Sequence, residues 1–562
     1  MKRTLALVTA LVLLPLAARA QLTTPPEKTA SRTIRAEELR AHIGFLSSDL
    51  LEGRGPGTRG DALAQQYIAT QFQLLGLKPL GPNGSYLQPL ELVGMTGHPQ
   101  SMTFTIANES GTGRAELQYH DDFIASSGVQ AAEAALRDSE LVFVGYGIQA
   151  PEYEWDDFKG MDLRGKTLLI LNNDPEDDPH LFGGKARLWY GRWDYKYEQA
   201  AKTGAAGALI IHTTQSAGYP WQVVQASWSG EQFELPASDE KPRLQVKGWT
   251  TDEATRRVLL LAGKDLDVLR AAAQKRDFHP VPLGLKVSTR FANQVRRRPT
   301  ANVLGLLPGS DPKLSREVVL YTAHHDHLGM KADAKPGEDA IYNGAVDNAS
   351  GVAAMLEVAK AFTALPKAPP RSILFAAVAA EEQGLLGSQY LAEHLPVPPG
   401  RVAANINIDG LNIHGRTRDV TVIGLGKSSL DTLLTALAHA QGRIVKADQL
   451  PDRGFFYRSD QFNFARLGIP SAYFSSGMDF IGRPPGWGKE RREKWEAQHY
   501  HQPSDELGPD WDFSGAVEDT QLFFFLGSNV ARTRELPRWN KGDEFEAPRR
   551  QALEALKTGE PR

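Results

Sequence analysis

Three apolar runs stop at histidine or carboxylate side chains, and a fourth short stretch adds an aspartate. Val318 to Ala323 runs into His324-His325-Asp326-His327, Ser372 to Ala380 into Glu381-Glu382, and Asn405 to Ile408 into Asp409; Gly344-Ala345-Val346 precedes Asp347-Asn348. Imidazole nitrogens and carboxylate oxygens meeting in one crevice suit zinc. The chain has no cysteine, so a thiolate site is excluded. Adjacent carboxylates point in different directions, so one of Glu381 and Glu382 can bind a metal while the other takes a proton from water. In an extended strand His324 and Asp326 share a face opposite His325 and His327, which makes His324 the ligand and Asp326 its orienting partner. Asp409 closes a buried strand, where a charge needs a partner. Read singly, Asp347 is equally a helix N-cap, Glu381-Glu382 an acidic first turn, and His501, in His499-Tyr500-His501-Gln502-Pro503-Ser504-Asp505, a surface histidine.

These residues need a scaffold that brings distant positions together. Continuous apolar, β-branched runs read as strands buried on both faces, as in a parallel sheet, and ligands of such sheets gather at the carboxyl ends of the strands. Strands near 301–307, 317–323, 372–379, 402–408, 419–424 and 469–474 alternate with helices near 348–364, 384–394, 428–441 and 514–533. That alternation predicts an α/β fold, a mostly parallel mixed sheet sandwiched by helices. Ahead of it, Ile34 to Leu51 and Asp61 to Leu75 have helical spacing. The intervening Gly53-Arg54-Gly55-Pro56-Gly57-Thr58-Arg59-Gly60 reads as a turn and not a phosphate cradle, since no strand precedes it and no Gly-Lys-Ser/Thr follows.

At 562 residues the chain is too long for one core. Residues 1–20 have the form of a signal peptide: Lys2 and Arg3, an apolar segment from Leu5 to Leu16, then Ala18-Arg19-Ala20. Residues 21–33, polar and rich in Pro and Thr, read as a flexible leader. Residues 34–116 read as the amino-terminal part of the catalytic domain and 117–282 as a β-rich insertion without a metal constellation. Residues 283–537 form the main catalytic part, and 538–562 a loosely attached charged tail. Net charge of −4 argues against nucleic-acid binding, and no stretch after the signal is long and apolar enough to span a membrane. Export without disulfides fits a bacterial periplasm or the surrounding medium.

In order, His-x-Asp, Gly-x-x-Asp-Asn-x-Ser-Gly, Glu-Glu-x-Gly-x-x-Gly-Ser, Asn-x-Asp-Gly and His-x-Pro-x-Asp resemble the co-catalytic zinc exopeptidase family, which includes secreted bacterial aminopeptidases and glutamate carboxypeptidase. The motifs lie within 301–530, and Gly204 to Ile211 resembles the protease-associated domain that many members carry as an insertion. The resemblance implies two zinc ions per subunit, one completed by His324 and Asp409, the other by Glu382 and His501, with Asp347 bridging. It implies Glu381 as general base for the attacking water, Asp326 as partner of His324, a cis peptide at Asp347-Asn348, and Tyr457 polarising the scissile carbonyl. The expected activity is exopeptidase action on peptides, foremost as an aminopeptidase, because a crevice with five carboxylates around two divalent ions attracts an ammonium group. Carboxypeptidase or dipeptidase action would need arginines such as Arg453, Arg458 or Arg483 aimed at a terminal carboxylate. A glutaminyl cyclase on the same scaffold would use one zinc, and an inactive receptor-like binding module would have lost ligands. Retention of every ligand position and of Glu381 favours the two-metal hydrolase.

Overall fold

The computed structural model describes residues 22–558 except 99–100, 109–112, 177, 179, 185, 239–240 and 332–333, so the expected signal peptide lies outside the described residues. The main sheet is built from β1 (Leu87–Gly97), β2 (Val281–Leu307), β3 (Val318–His324), β4 (Ser372–Val378), β5 (Val402–Asn407), β6 (Asp419–Ile423), β7 (Ile444–Ala447) and β8 (Ser471–Ser476). Its order is β1-β2-β4-β3-β5-β8-β6-β7. The central β4, β3, β5 and β8 run parallel, while β2 pairs antiparallel with β4 and β6 antiparallel with β8.

The expected double burial of the central strands explains their unbroken apolar sequence. Val319, Tyr321 and Ala323 of β3 pack with Ile373, Phe375 and Ala377 of β4 beneath α4 (Gly351–Thr363) and α7 (Ser514–Arg532); the alternate Leu320, Leu374, Ala376 and Val378 meet Leu391 of α5 (Leu386–Glu393) and Phe464 on the other face. Further helices are α1 (Pro25–Ser31), α2 (Ala36–Leu46), α3 (Arg59–Leu74), α6 (Leu430–Ala440) and α8 (Glu546–Thr558). No described helix is long and apolar enough to cross a membrane.

The 27-residue β2 ties this sheet to a second one. Its first part alternates, with Leu283, Leu285, Val287, Thr289 and Phe291 buried, as in a strand with one face solvated. From Asn302 to Gly305 it is buried throughout. The second sheet collects Thr103–Asn108, Arg114–Leu117, Phe123–Ser127, Glu133–Phe143, Thr167–Leu171, Gly207–His212 and Val246–Thr251 around the amino-terminal part of β2. It therefore starts before the expected boundary at 117, and no break separates 282 from 283.

Two segments expected to be loose are packed. Thr24 and Glu27 form a reciprocal cap with Pro25 in the first turn, so the leader's polar residues start α1. Glu27 then accepts a hydrogen bond from Ser528 Oγ (2.5 Å) and lies 3.3 Å from Arg532 of α7. In the tail, buried Trp539 donates to Gly468 O (2.9 Å) and Arg549 of α8 to Val402 O (3.0 Å). A few anchoring side chains outweigh the polar composition of the one and the charged composition of the other.

Candidate metal centre

Each sequence-selected metal ligand reaches the crevice at the carboxyl ends of the central strands. His324 is the last residue of β3, and its Nε2 lies 3.2 Å from Asp347 Oδ1 and 3.4 Å from Asp409 Oδ1. His501 Nε2 lies 3.2 Å from the other oxygen of Asp347 and 3.1 Å from Glu382 Oε2. Asp347 thus turns one oxygen to each histidine. Ligand atoms of His324, Glu381 and Asp409 fall within 4.8 Å of one another, as do those of His327, Asp347 and Glu382.

Neighbouring groups fix these side chains. The chain enters the Asp347 loop through Gly344 at φ +57°, where a β-carbon would stand 2.2 Å from Asp347 O and 2.6 Å from the His327 ring. The Asp347–Asn348 peptide is cis. The Asp505 carboxylate accepts the backbone N–H groups of Val346 (3.0 Å) and Asp347 (3.1 Å). Asn348 Oδ1 accepts from Gly351 and Gly410, both at 2.9 Å, linking the Asp347 loop to the turn after Asp409. Ser459 Oγ donates to Asp409 Oδ2 (2.5 Å). After β4 the backbone turns through Ala380 at φ +53°, and Asp326 accepts the N–H groups of Glu381 (3.1 Å) and Glu382 (3.4 Å). Towards His324, Asp326 presents its own carbonyl to Nδ1 at 3.3 Å, with its carboxylate at 3.7 Å. It therefore positions the glutamates at least as directly as the histidine.

The donor set fits a divalent cation. His501 Nε2 is buried and makes no properly aligned hydrogen bond although two carboxylates stand beside it. Burial alone would lower the His501 pKa, but Glu382 and Asp347 outweigh it and push it up to about 10; Glu381, Asp347 and Asp409 likewise outweigh burial at His324 and raise it well above the usual imidazole value. A cation binding these nitrogens displaces those protons. Burial, reinforced by Glu382 and Asp409 and opposed by His324, raises Glu381 well above the usual carboxylate range. Nitrogen and oxygen donors without sulfur are within the range zinc accepts.

Two expectations are corrected. Tyr457 does not face the crevice: its hydroxyl donates to Glu544 Oε1 (2.6 Å), and its ring packs with Phe456 and Phe462 under the carboxy-terminal segment. The tyrosines within electrostatic reach of the ligands are Tyr473, near Asp409 and Glu381, and Tyr500, stacked on His501 at 3.8 Å. His327, expected to face away, donates its Nδ1–H to Glu382 Oε1 at 2.7 Å. Alternation holds only while the chain is extended, and β3 ends at His324; only His325 turns away, to Asp61 at 3.0 Å. Asp505 and Arg54 are the other missed contributors. Asp505 stood in the last motif, but Arg54 lay in a turn with no chemical signal.

Residues 302–525 match peptidase family M28. Mouse aminopeptidase NAALADL1 is 34% identical over 134 residues, 23% of this chain and 16% of that protein. A probable glutamate carboxypeptidase of Arthroderma benhamiae is 31% identical over 169 residues, 29% of this chain and 21% of that protein. Both alignments therefore span well under half of those relatives' lengths. In fold, the chain resembles the aminopeptidase from Aneurinibacillus sp. strain AM-1, with a TM-score of 0.50 and 21% identity over 91% of this chain and 97% of that one. The six positions that line the crevice, from His324 to His501, all fall inside the matched segment. Residues 302–525 thus match peptidase family M28, and the crevice within that segment carries nitrogen and oxygen donors placed to hold a metal ion.

Proposed function

We propose that the chain is an exported aminopeptidase that uses two zinc ions to remove amino-terminal residues from peptides. The observation that carries this reading is Asp347, which points one carboxylate oxygen at His324 and the other at His501. His324 and Asp409 would hold one ion, Glu382 and His501 the other, and Asp347 both. When bound, zinc supplies a Lewis acid and makes water acidic enough to ionise near neutral pH. Glu381 takes the proton of the attacking water and passes it to the leaving amine; its buried, carboxylate-rich surroundings raise its proton affinity towards that task. His327 and Asp326 keep Glu382 and the Glu381 backbone in place.

The charge around the crevice favours a free amine. Asp460 and Asp505, both buried, stand near the ligand carboxylates and make the lining of the crevice predominantly acidic, a setting that draws an ammonium group in preference to a carboxylate. Of the arginines a carboxypeptidase would need, Arg453 is paired with Glu496 at 2.8 Å and Arg483 stacks over Trp487 at 4.8 Å. Arg458, over Phe455 at 5.6 Å, has no carboxylate partner among the described residues, and it is the observation that favours carboxypeptidase or dipeptidase action as the second reading. The two are separated by comparing an amino acid p-nitroanilide with its N-acetylated form and with a peptide whose carboxyl end is its one free terminus. The aminopeptidase reading requires the unblocked anilide to turn over fastest; preference for either amine-blocked substrate overturns it and leaves the zinc peptidase.

A further inference from the structure

Arg54 sits beneath the metal centre without touching a ligand atom. It lies in the Gly53-Arg54-Gly55 turn, where Glu52, Gly53 and Arg54 have φ of +49°, +69° and +51°. A β-carbon on Gly53 would stand 2.2 Å from Gly329 O and 2.7 Å from Tyr342 O, so the turn can press against those two carbonyls only with glycine there. The Arg54 side chain, in a residue 1% exposed, spends its donors on carbonyls: Nε on His325 O (2.8 Å), one terminal nitrogen on Leu46 O and Asn343 O (2.6 Å), the other on Gly344 O (2.9 Å).

Those carbonyls belong to the two loops that matter. His325 follows ligand His324, and Asn343-Gly344 leads into Asp347. One planar fork therefore sets the separation of the first ligand from the bridging one. The guanidinium remains charged when buried, and no carboxylate pairs with it directly among the described residues. Asp326, Asp505, Asp347 and Glu382 are nevertheless close enough for their charges to act on it. Its charge is thus spread over the carboxylate cluster as a whole and opposes their mutual repulsion.

We propose that Arg54 is a positioning residue of the metal centre, setting the place of Asp347 relative to His324 and offsetting the carboxylate charge, so that zinc affinity depends on it. This rests on reading the crevice as a zinc site. Arg371 is a built-in control: equally buried, it donates to Val530 O (2.7 Å), Thr533 O and Arg534 O (3.1 Å) and to Glu317 (2.6 Å), but at the start of β4, the opposite end of the strand from Glu381.

The test measures zinc affinity, by competition with a chromophoric chelator, and Tm for full-length wild type, Arg54→Lys and Arg371→Lys. Arg54→Lys keeps the charge but loses the fork, and should bind zinc at least about tenfold more weakly, the usual scale for a group that supports ligands from behind. Arg371→Lys should lower Tm and leave zinc affinity at the wild-type value. Arg54→Lys with wild-type affinity, or with no more loss than Arg371→Lys, overturns the proposal. If Arg54→Lys does not fold, Gly55→Ala keeps the guanidinium but crowds Gly329 Cα at 3.1 Å and shifts the turn. Weaker zinc binding there supports the proposal, and unchanged binding overturns it. A wild type that binds no zinc is a different failure, one that removes the metal centre itself.

Discussion

At the scale of single residues, the division of work between Glu381 and Glu382 decides the mechanism. Glu382 is committed on both oxygens, one to His327 and one beside His501, whereas Glu381 lies within ligand distance of His324 and Asp409 but makes no side-chain hydrogen bond to either. Glu381→Gln is nearly isosteric and cannot accept a proton. We expect it to retain zinc by elemental analysis while kcat falls by roughly 10²–10⁴, the range of general-base catalysis. The base must be ionised to act, and its pKa is raised by burial and by Glu382 and Asp409. Wild-type activity should therefore be lost as pH falls through that raised value, and the acid limb should vanish in the variant's residual activity. A metal-free Glu381→Gln protein would show that Glu381 is a ligand.

At the scale of elements, Tyr457 shows how a motif-based role can be overridden by a contact from far along the chain. The segment Phe455 to Ser459 passes close to the crevice, and Ser459 does reach Asp409, but the Tyr457 ring is drawn to the other side by Phe545 and its neighbours around Trp539. Its hydroxyl is bound by Glu544, which burial pushes upward while Lys427 holds it down. Tyr457→Phe should therefore lower stability by about 1.5–3 kcal/mol, the cost of losing a hydrogen bond to a charged group. It should leave kcat for a small substrate unchanged, with urea unfolding and initial rates as the two measurements. A large fall in kcat at unchanged stability would return Tyr457 to the catalytic machinery. The tail that holds it was not legible, because a charged segment gives no periodic signal when its two aromatic residues, Trp539 and Phe545, carry its packing.

At the scale of the whole molecule, the second sheet and its helices rest on the segment that carries Ser459, the partner of Asp409. Arg187 N–H donates to Pro451 O (3.0 Å), Trp189 packs on Phe462 with ring centroids 4.5 Å apart, and Glu198 meets Arg466 at 2.5 Å. Between Pro451 and Arg466 lies Ser459, bonded to Asp409. We infer that the region around this second sheet shapes the approach of long peptides and takes no part in the chemistry. Trp189→Ala should raise KM for a peptide of several residues while kcat for an amino acid p-nitroanilide stays near wild type. Total loss on the small substrate by a folded variant would count against it.

The sequence by itself determined the strand ends and their chemistry. Strands buried on both faces must be apolar throughout, so His324, Glu381 and Asp409 stand out as charges that such a strand cannot bear without a partner. It likewise determined the α/β alternation and, through ordered motifs, the resemblance to zinc exopeptidases that the M28 match of residues 302–525 supports. The tertiary structure decided what depended on groups with no periodicity of their own. His327 swung back once the strand ended, Asp505 and Asn348 locked the Asp347 loop, and Arg54 rose from a glycine turn to sit under the site. The reason is common to all of them: their partners are backbone groups or single side chains, many of them tens or hundreds of residues away. Such contacts are selected by geometry after the sheet has formed and leave no local pattern along the chain.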